Sequence, residues 1–313
     1  MRTWYAISLS LFLIFVQCNK RVVDSDADNG TTLPDSTVLV DRLGLTDRFE
    51  IATWNIENFP KAGTQTVNDV AQIIKDLDID LIGVQEIASI RSFNDLLDQM
   101  PGWKGVLSND VYSSGTYQKT GILYKSDFIS VSGIKNIFEN DWYAFPRPPL
   151  QAYVQVKDLD SVKFDFNIIV LHLKASGGSE NEARRKEAIN DLSQYIKNEI
   201  ARGADPDFVV LGDWNDVLSD PESTNVFLAM LNDPQTFTFL TLGLSNQYSY
   251  ISYTYRSLID HIMITKDAEA EYGAGECRVL YLDQQYLSYP SNVSDHRPVF
   301  ARFNGFRLNL SGN

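Results

Sequence analysis

The segment Phe208–Val217 (FVVLGDWNDV) constrains the fold more than any other, because it joins an apolar strand to two polar side chains. Its first four residues are all apolar, which is typical of a short strand inside a sheet. Gly212 is predicted to end that strand. Asp213 and Asn215 follow two residues apart, and the period of an extended chain predicts that both side chains point the same way.

The chemistry of this polar pair favours a hard cation that holds a water or a phosphate oxygen. Both side chains provide oxygen ligands, and the amide of Asn215 can also donate a hydrogen bond. An Asx turn that closes the strand is the structural alternative for Asp213. The remaining polar strand ends decide between these two interpretations.

An earlier strand–helix–strand unit also ends its strands in polar residues. Phe49–Asn55 is predicted as the first strand and Leu81–Val84 as the second, with Glu86 just beyond it. Such a unit brings Asn55 and Glu86 to the same rim of a sheet. Taken separately, Asn55 could be a turn residue and Glu86 could be a solvated carboxylate. The helix between the strands is predicted from apolar residues at helical spacing: Val67, Val70, Ile73, Ile74 and Leu77.

Two of the three histidines lie at predicted strand ends. His172 comes near the end of the strand Phe164–Leu173, and His296 precedes the last strand in the sequence SDHRPV, next to Asp295. A lone histidine in such a place is usually a hydrogen-bonded core residue. The strand Leu258–Thr265 (LIDHIMIT) adds Asp260, which must face away from its neighbour in sequence.

The polar residues at these strand ends predict a metal site with oxygen ligands. Carboxylate and amide groups without a cysteine or histidine cluster favour Mg²⁺, Mn²⁺ or Ca²⁺ over zinc. Arg147 lies between prolines in FPRPPL, which fixes where its side chain projects and suits a fork that binds phosphate. A surface arginine in a proline-rich loop is the alternative.

Residues 1–18 are predicted to form a signal peptide. Arg2 gives a positive start, and the apolar run Ile7–Val16 is too short for a membrane span. Cys18 lies where a bacterial lipoprotein is cleaved and lipidated, although Gln17 is not the small residue that usually precedes that cysteine. A plain secretory signal or an uncleaved anchor is the alternative. Residues 19–46 are polar and acidic, and we predict a flexible tether there.

The net charge of −14 argues against a protein that grips nucleic acid by charge alone. It does not exclude a nuclease, because divalent cations can screen both an acidic active site and phosphate. Only Cys18 and Cys277 are present. A lipidated Cys18 would leave Cys277 unpaired, so no disulfide framework is expected.

Six motifs in the order TWNIEN, GVQEI, LHLKA, GDWND, LIDHI and SDHRPV resemble the endonuclease/exonuclease/phosphatase superfamily, with its deoxyribonuclease I-like fold. The resemblance covers residues 47–307 and leaves residues 308–313 as a tail. It implies a four-layer α/β sandwich, in which two mixed β-sheets pack face to face and helices flank them. It also implies hydrolysis of phosphoesters with Mg²⁺ or a similar ion.

The resemblance implies a role for each polar residue. Glu86 is similar to the principal metal carboxylate, with Asn55 beside it and Asp295 as a further metal ligand. Asp213 and Asn215 are similar to the pair that positions the attacking water and a phosphate oxygen. His296 is similar to the catalytic histidine, and Asp260 to the carboxylate that orients it. His172 is similar to a second histidine that faces the phosphate, and Arg147 to a phosphate-binding arginine. Whether His296 or Asp213 is the general base stays open at this point.

The sequence therefore predicts an exported, divalent-metal-dependent phosphodiesterase, with nucleic acid as the leading substrate. We expect a monomer that Cys18 anchors to a membrane of the bacterial cell envelope, either periplasmic or on the outer surface, or else a secreted protein. Ala88 stands where deoxyribonuclease I-like enzymes carry a DNA-contacting arginine, which weakens the case for DNA. The alternatives are a phosphatase or sphingomyelinase-like phospholipase that acts on phospholipid headgroups or small phosphoesters, and a non-catalytic surface binding protein.

Overall fold

The computed structural model describes residues 38–111, 118–159, 161–252 and 254–310. From Val38 onward the chain forms one compact unit. The predicted signal peptide, Cys18 and most of the predicted tether lie outside the described residues. Among the helices that are described, none is both long enough and apolar enough to cross a membrane.

The described chain alternates strands with helices only at its start, continues with five consecutive strands and a long helix, and adds short helices in its second half. The strands are β1 Phe49–Phe59, β2 Leu81–Ile87, β3 Trp103–Leu107, β4 Lys119–Lys125, β5 Ile129–Asn136, β6 Leu150–Asp158, β7 Ser161–His172, β8 Phe208–Asp213, β9 Phe237–Phe239, β10 Asp260–Thr265, β11 Glu276–Val279 and β12 Val299–Phe303. The helices are α1 Thr64–Leu77, α2 Ile90–Asp98, α3 Ser179–Ala201, α4 Leu228–Leu231, α5 Glu269–Tyr272 and α6 Tyr289–Asn292. Two 3₁₀ turns cover Leu242–Leu244 and Leu282–Gln284.

The strands form two mixed sheets of six strands each. The first sheet has the order β11-β12-β1-β2-β4-β3, and the second has the order β5-β6-β7-β8-β10-β9. Each sheet contains one parallel pair at its centre, β1 with β2 and β7 with β8. An antiparallel strand flanks each pair, β12 beside β1 and β10 beside β8. The two sheets are thus built on the same plan.

Three apolar layers hold the sheets and helices together. The middle layer lies between the two sheets and includes Ile51 and Leu81 from the first sheet and Val170 and Leu211 from the second. The outer face of the first sheet packs against α1 and α2, and the outer face of the second packs against α3. This arrangement is the predicted four-layer α/β sandwich, and the fold prediction is confirmed.

The prediction that Gly212 ends its strand was wrong, because β8 continues to Asp213. Gly212 is needed for a close approach between neighbouring strands. A Cβ atom at this position would lie 2.1 Å from the carbonyl oxygen of Leu171 on β7, and the residue has a φ of +154°. A similar difference occurs in β1, which passes through a bulge after Asn55 and runs on to Phe59 where we predicted a turn.

The predicted boundary between tether and domain at residue 46 also differs from the structure. Val40 is buried in the layer between the first sheet and its helices, and the backbone N–H of Leu39 donates to Asp76 in α1 at 2.7 Å. At the other end, Leu308 is buried and its N–H donates to the carbonyl of Asp47. Apolar burial therefore extends the folded unit beyond the predicted limits on both sides. Residues 19–37 lie outside the described residues.

We predict that Gly212→Ala lowers the free energy of unfolding by roughly 3 kcal/mol, because the added methyl group would overlap the backbone of β7. In a domain of this size the melting temperature should fall by roughly 6–12 °C. Thermal denaturation followed by circular dichroism measures the effect. Gly243→Ala is the matched control, since a Cβ there meets nothing within 4 Å. Equal melting temperatures for the two variants would contradict the packing argument.

Candidate active site

The strand arrangement brings the predicted site residues to one edge of both sheets. β1 and β2 run parallel, so Asn55 and Glu86 lie near the same ends of their strands. β7 and β8 repeat this for His172 and Asp213, which are register partners. β10 and β12 are antiparallel to β8 and β1, so they begin where the parallel strands end. Asp260 therefore pairs with Asp213, and His296 precedes β12 at the same edge.

His296 and Asp260 form a buried hydrogen-bonded pair. Nδ1 of His296 lies 2.8 Å from Oδ2 of Asp260, and both residues are buried. Burial alone would lower the pKa of His296, but Asp260, with smaller contributions from Asp213 and Asp295, raises it to about 10. The imidazole therefore carries a positive charge at neutral pH. Its Nε2 is the nitrogen that faces the other site residues, 4.0 Å from Asp213 Oδ2.

The backbone around His296 is held by several buried contacts. Its N–H donates to Ser294 Oγ at 2.9 Å, and that hydroxyl donates to the carbonyl of Asn55 at 2.7 Å. The Tyr289 hydroxyl donates to the carbonyl of His296 at 2.5 Å. The ring of Tyr250 packs on the imidazole, with 5.1 Å between centroids. The position of His296 is thus fixed from β1, from α6 and from the loop before β10.

Arg297 fixes the same segment from the other side. Its guanidinium donates to both carboxylate oxygens of Asp283 at 2.7 and 2.8 Å. The group lies between the rings of Tyr248 and Tyr281, 4.1 and 4.0 Å from their centroids. Only 2% of Arg297 is exposed, so this arginine clamps the chain and does not face substrate.

Asp213 lies at the centre of the site. Its Oδ2 lies 3.1 Å from Asn55 Nδ2 and 3.5 Å from His172 Nε2. Burial and the nearby Asp260 raise the pKa of Asp213 to about 7, although His296 and Asn55 act in the opposite direction. A carboxylate with this pKa can accept a proton near neutral pH.

Asn215 reaches the site by a different route from the predicted one. It lies beyond the end of β8 with a φ of +56°, so the period of an extended strand does not apply to it. Its N–H donates to Asp213 Oδ1 at 2.9 Å, which is the Asx turn considered as the structural alternative. Its side-chain amide donates to the carbonyl of Leu173 at 3.2 Å. The turn and the polar site are therefore one structure.

His172 differs from His296 in its charge. Burial, Arg147 and His296 hold the pKa of His172 well below its usual range, so the ring is neutral. Its Nε2 lies 3.5 Å from Asp213 Oδ2 and 3.8 Å from Glu86 Oε1. Its buried Nδ1 has no hydrogen-bond partner among the described residues. The site thus contains one cationic and one neutral imidazole.

The carboxylates at the mouth of the site fit a hard cation. Glu86 has a φ of +63°, its Oε1 accepts from Asn55 at 3.2 Å, and its Oε2 accepts the N–H of Asn58. Burial, together with Glu57 and Glu86, raises the pKa of Asp295 to about 6, although His296 opposes this. Crowded oxygen ligands whose charges repel each other are relieved by Mg²⁺-type ions. Asn55, Glu86 and Asp295 are the residues that would hold such an ion.

A second group of ligand atoms lies deeper in the site. One atom each from Asp213, Asp260 and His296 lie within 4.8 Å of one another. Because the histidine is protonated and bonded to Asp260, this group is better described as a hydrogen-bonded acid–base cluster than as a ligand set. The cation therefore belongs on the Glu86 side.

Arg147 borders the site next to the loop that follows β7. Its Nη1 donates to the carbonyl of Leu173 at 3.2 Å, the same oxygen that accepts from Asn215. Nε donates to Gln118 at 2.9 Å, and Gln118 in turn donates to Asn58 beside Glu86. The structure therefore brings Arg147 and the predicted strand-end residues together around one site. Cys18, predicted to carry the lipid, lies outside the described residues.

Several residues of the site were not predicted from the sequence. Glu57 accepts the N–H of Asp295 at 2.9 Å and ion-pairs with Lys61. Its place two residues after Asn55 in TWNIEN was a usable signal, which the predicted turn concealed. Gln118 carries no local signal, because only the tertiary fold brings it to the site.

We predict that Asp260→Asn lowers the melting temperature of the metal-free protein by about 5 °C near pH 8, because a hydrogen bond between charged groups is lost. The folded pKa of His296 lies above its ordinary value of 6.5. The stabilisation of the folded state by the charged pair of His296 and Asp260 is therefore fully present below pH 6.5, and it is lost as the pH rises through about 10. The gap between wild type and variant should shrink at about pH 10.5.

Thermal unfolding in the presence of EDTA, across this pH range, measures that gap. Asp98→Asn is the matched control, since Asp98 is exposed at the end of α2 and should show no gap. A gap of constant size from pH 8 to 10.5 would show that His296 is not the group that titrates.

Comparison with known proteins agrees with this geometry. The Endonuclease/Exonuclease/phosphatase family model matches residues 52–296, and no curated protein sequence matches the chain. Similar solved structures include the human Nocturnin catalytic domain with bound sulfate, at 18% identity and a TM-score of 0.58, covering 82% of this chain and 94% of that one. A mannosyl-6-phosphatase from Bacteroides thetaiotaomicron has 17% identity and a TM-score of 0.58, with 81% and 98% covered.

A 3′ phosphatase from Neisseria, bound to a product DNA hairpin, has 19% identity and a TM-score of 0.58, with 82% of this chain and 99% of that chain covered. At these identities the structural matches establish the fold alone. The family model, by contrast, spans most of the chain, from β1 to His296. The chain therefore belongs to the endonuclease/exonuclease/phosphatase family, whose members are metal-dependent phosphoester hydrolases.

Proposed function

We propose that this enzyme hydrolyses phosphoester bonds with Mg²⁺ as the bound cation. The observation that carries the proposal is the position of Asp213, within 4.0 Å of a protonated His296 and of a neutral His172. A carboxylate that can accept a proton, an imidazolium that can donate one and oxygen ligands for a cation are the groups that acid–base hydrolysis of a phosphoester uses. When bound, Mg²⁺ would neutralise charge on the non-bridging phosphate oxygens.

In this mechanism Asp213 is the general base, since His296 already carries a proton. Asn215 and Asp213 hold the attacking water, and a proton passes from that water to Asp213 as its oxygen bonds to phosphorus. His296 gives its Nε2 proton to the leaving oxygen as the ester bond breaks. Asp213 Oδ2 and His296 Nε2 are 4.0 Å apart, beyond a direct hydrogen bond, so the proton returns to His296 through one water and resets the site. Neutral His172 and Arg147 bind the phosphate oxygens.

Nucleic acid is the substrate predicted from the sequence, and it stays a prediction. A 3′ phosphatase bound to DNA and a mannosyl-6-phosphatase share this fold, so the fold is compatible with both kinds of substrate. A phospholipid substrate is a second candidate because Trp142 and Tyr143 form an exposed apolar pair, 56% and 45% exposed. Exposed aromatic side chains of this kind can enter a membrane interface.

We also propose export and lipid anchoring at Cys18, on the basis of the sequence of residues 1–18. Mass spectrometry of the mature protein should find Cys18 at the N-terminus with attached acyl chains. An unmodified or uncleaved N-terminus would contradict the anchor and leave the enzyme proposal unaffected.

We predict that Asp213→Ala and His296→Ala each lower kcat by about 10²–10⁴-fold, because each removes one partner in proton transfer. Chelation with EDTA should abolish turnover, and Mg²⁺ should restore it. Phosphate or nucleotide release is measured on plasmid DNA, RNA, sphingomyelin and a hexose phosphate. Asp98→Ala on α2 is the matched control and should retain wild-type turnover. Near-normal activity in either site variant would refute the assignment, and a silent wild type would point to a binding protein.

A further inference from the structure

His261 is the one histidine of the chain that the proposed reaction does not use, although only 1% of it is exposed. It follows Asp260 on β10, and alternation along a strand turns the two side chains to opposite faces of the sheet. The imidazole of His261 lies in the apolar layer outside the second sheet. There it meets the rings of Phe227 and Phe239 edge-on, with 5.7 and 6.3 Å between centroids. A polar ring in such a layer needs hydrogen-bond partners.

The partners of the His261 ring fix its tautomer. Nε2 lies 3.0 Å from the carbonyl oxygen of Asp216, and Nδ1 lies 2.9 Å from the hydroxyl of Thr241. A carbonyl oxygen can only accept, so Nε2 carries the proton and Nδ1 accepts from Thr241. Burial lowers the pKa of His261 to about 4, which leaves the ring neutral at pH 7. His261 is therefore a fixed hydrogen-bond donor inside the protein.

Both chain neighbours of Asn215 are hydrogen-bonded to His261. The indole N–H of Trp214 donates to the backbone carbonyl of His261 at 3.1 Å. The carbonyl of Asp216 accepts from the His261 ring. The backbone N–H of Trp214 also donates to the carbonyl of Ile259 on the same side of the sheet, at 2.9 Å. One residue of β10 thus holds the chain on each side of Asn215.

The backbone of Asn215 makes this support necessary. Its φ of +56° lies in the left-handed region, which residues other than glycine adopt at a cost, although asparagine does so more readily than most. Its side-chain amide has to stay near the carbonyl of Leu173, 3.2 Å away, to remain at the site. A displacement of about 1 Å at a group that positions a reactant can lower the rate by about 100-fold.

A buried ion pair holds the same loop from the side of α3. Arg185 is 3% exposed, and its Nε donates to Asp216 Oδ2 at 2.8 Å. Its Nη1 donates to the carbonyls of Lys174 and Ser176. Asp220 shares a further hydrogen bond with Asp216. Asp216 is therefore tied to α3 through its side chain and to β10 through its carbonyl, which leaves little freedom to the residue before it.

We propose that His261 is a positioning residue, whose bonds to Trp214 and Asp216 keep Asn215 in the orientation that holds the attacking water. Its expected effect on the rate rests on the proposed function, in which Asn215 holds that water. The orientation of Asn215 itself does not depend on turnover and is measured separately.

The tautomer of His261 is tested in the wild-type chain by NMR of ¹⁵N-labelled histidine at pH 7. The ring should be neutral, with its proton on Nε2 and in slow exchange with solvent. The signals of His261 are assigned by their absence from His261→Gln. A proton on Nδ1, or a cationic ring, would overturn the proposal.

Hydrogen exchange tests the orientation of Asn215. Its backbone N–H donates to Asp213 Oδ1 at 2.9 Å and should exchange slowly in wild type. His261→Phe removes the ring donor, so this N–H should exchange roughly 10-fold faster or more. His261→Gln keeps an N–H donor near the place of Nε2 and should stay close to wild type. Equal protection in all three proteins would contradict the proposed role.

Kinetics with the full chain and Mg²⁺ separate positioning from general stability. His261→Phe should lower kcat by roughly 10- to 100-fold with little change in KM, and His261→Gln should recover most of the loss. Met263→Ala is the matched control. Met263 lies on the same face of β10 in the same apolar layer, so its truncation should lower the melting temperature but not kcat while the protein is folded.

Equal losses of kcat in His261→Phe and Met263→Ala would show that His261 has only a structural role. If His261→Phe does not fold, Trp214→Phe takes its place, because it removes the indole N–H bonded to His261 and should have the same effects on exchange and kcat. A wild type without turnover on any substrate, in which the exchange of Asn215 still depends on His261, would refute the proposed function and not the positioning of Asn215.

Discussion

The apolar layer between the two sheets is the constraint on which the rest of the structure depends. Gly83 on β2 has no side chain, and the space is filled by Leu211 from β8, whose Cδ1 would lie 2.1 Å from a Cβ at position 83. This close packing sets the two parallel strand pairs face to face across the layer. As a result, Asn55 of the first sheet can reach Asp213 of the second at 3.1 Å. An apolar contact thus sets the geometry of a polar site.

The active site concentrates negative charge that the protein alone does not balance. The cationic His296 compensates Asp260, whereas His172 is held neutral and adds no charge. Burial, with repulsion from neighbouring carboxylates, raises the pKa values of Asp213 and Asp295. A bound cation would supply positive charge here, which would couple chemistry on a phosphate to binding of a metal in one place.

Much of the fold was predictable because strand periodicity and polar strand ends are local properties of the sequence. The apolar run Phe208–Leu211 and the helix α1 follow directly from such patterns. The failures have tertiary causes. Gly212 looks like a strand end in sequence, but it permits contact with β7. Asn215 enters the site through an Asx turn, and Gln118 reaches Arg147 from 29 residues away. Neither placement follows from local periodicity.

The segment that contains His296 and Arg297 lies near the end of the chain, so the active site is completed late in synthesis. His296 and β12 come late in the chain, yet β12 lies inside the first sheet between β11 and β1. A chain that ends before residue 296 lacks both His296 and this interior strand. β1 can pair with β2 early, but its other edge has to wait for a partner more than 200 residues away. The first sheet and the polar site around His296 are therefore completed in the same late step of synthesis.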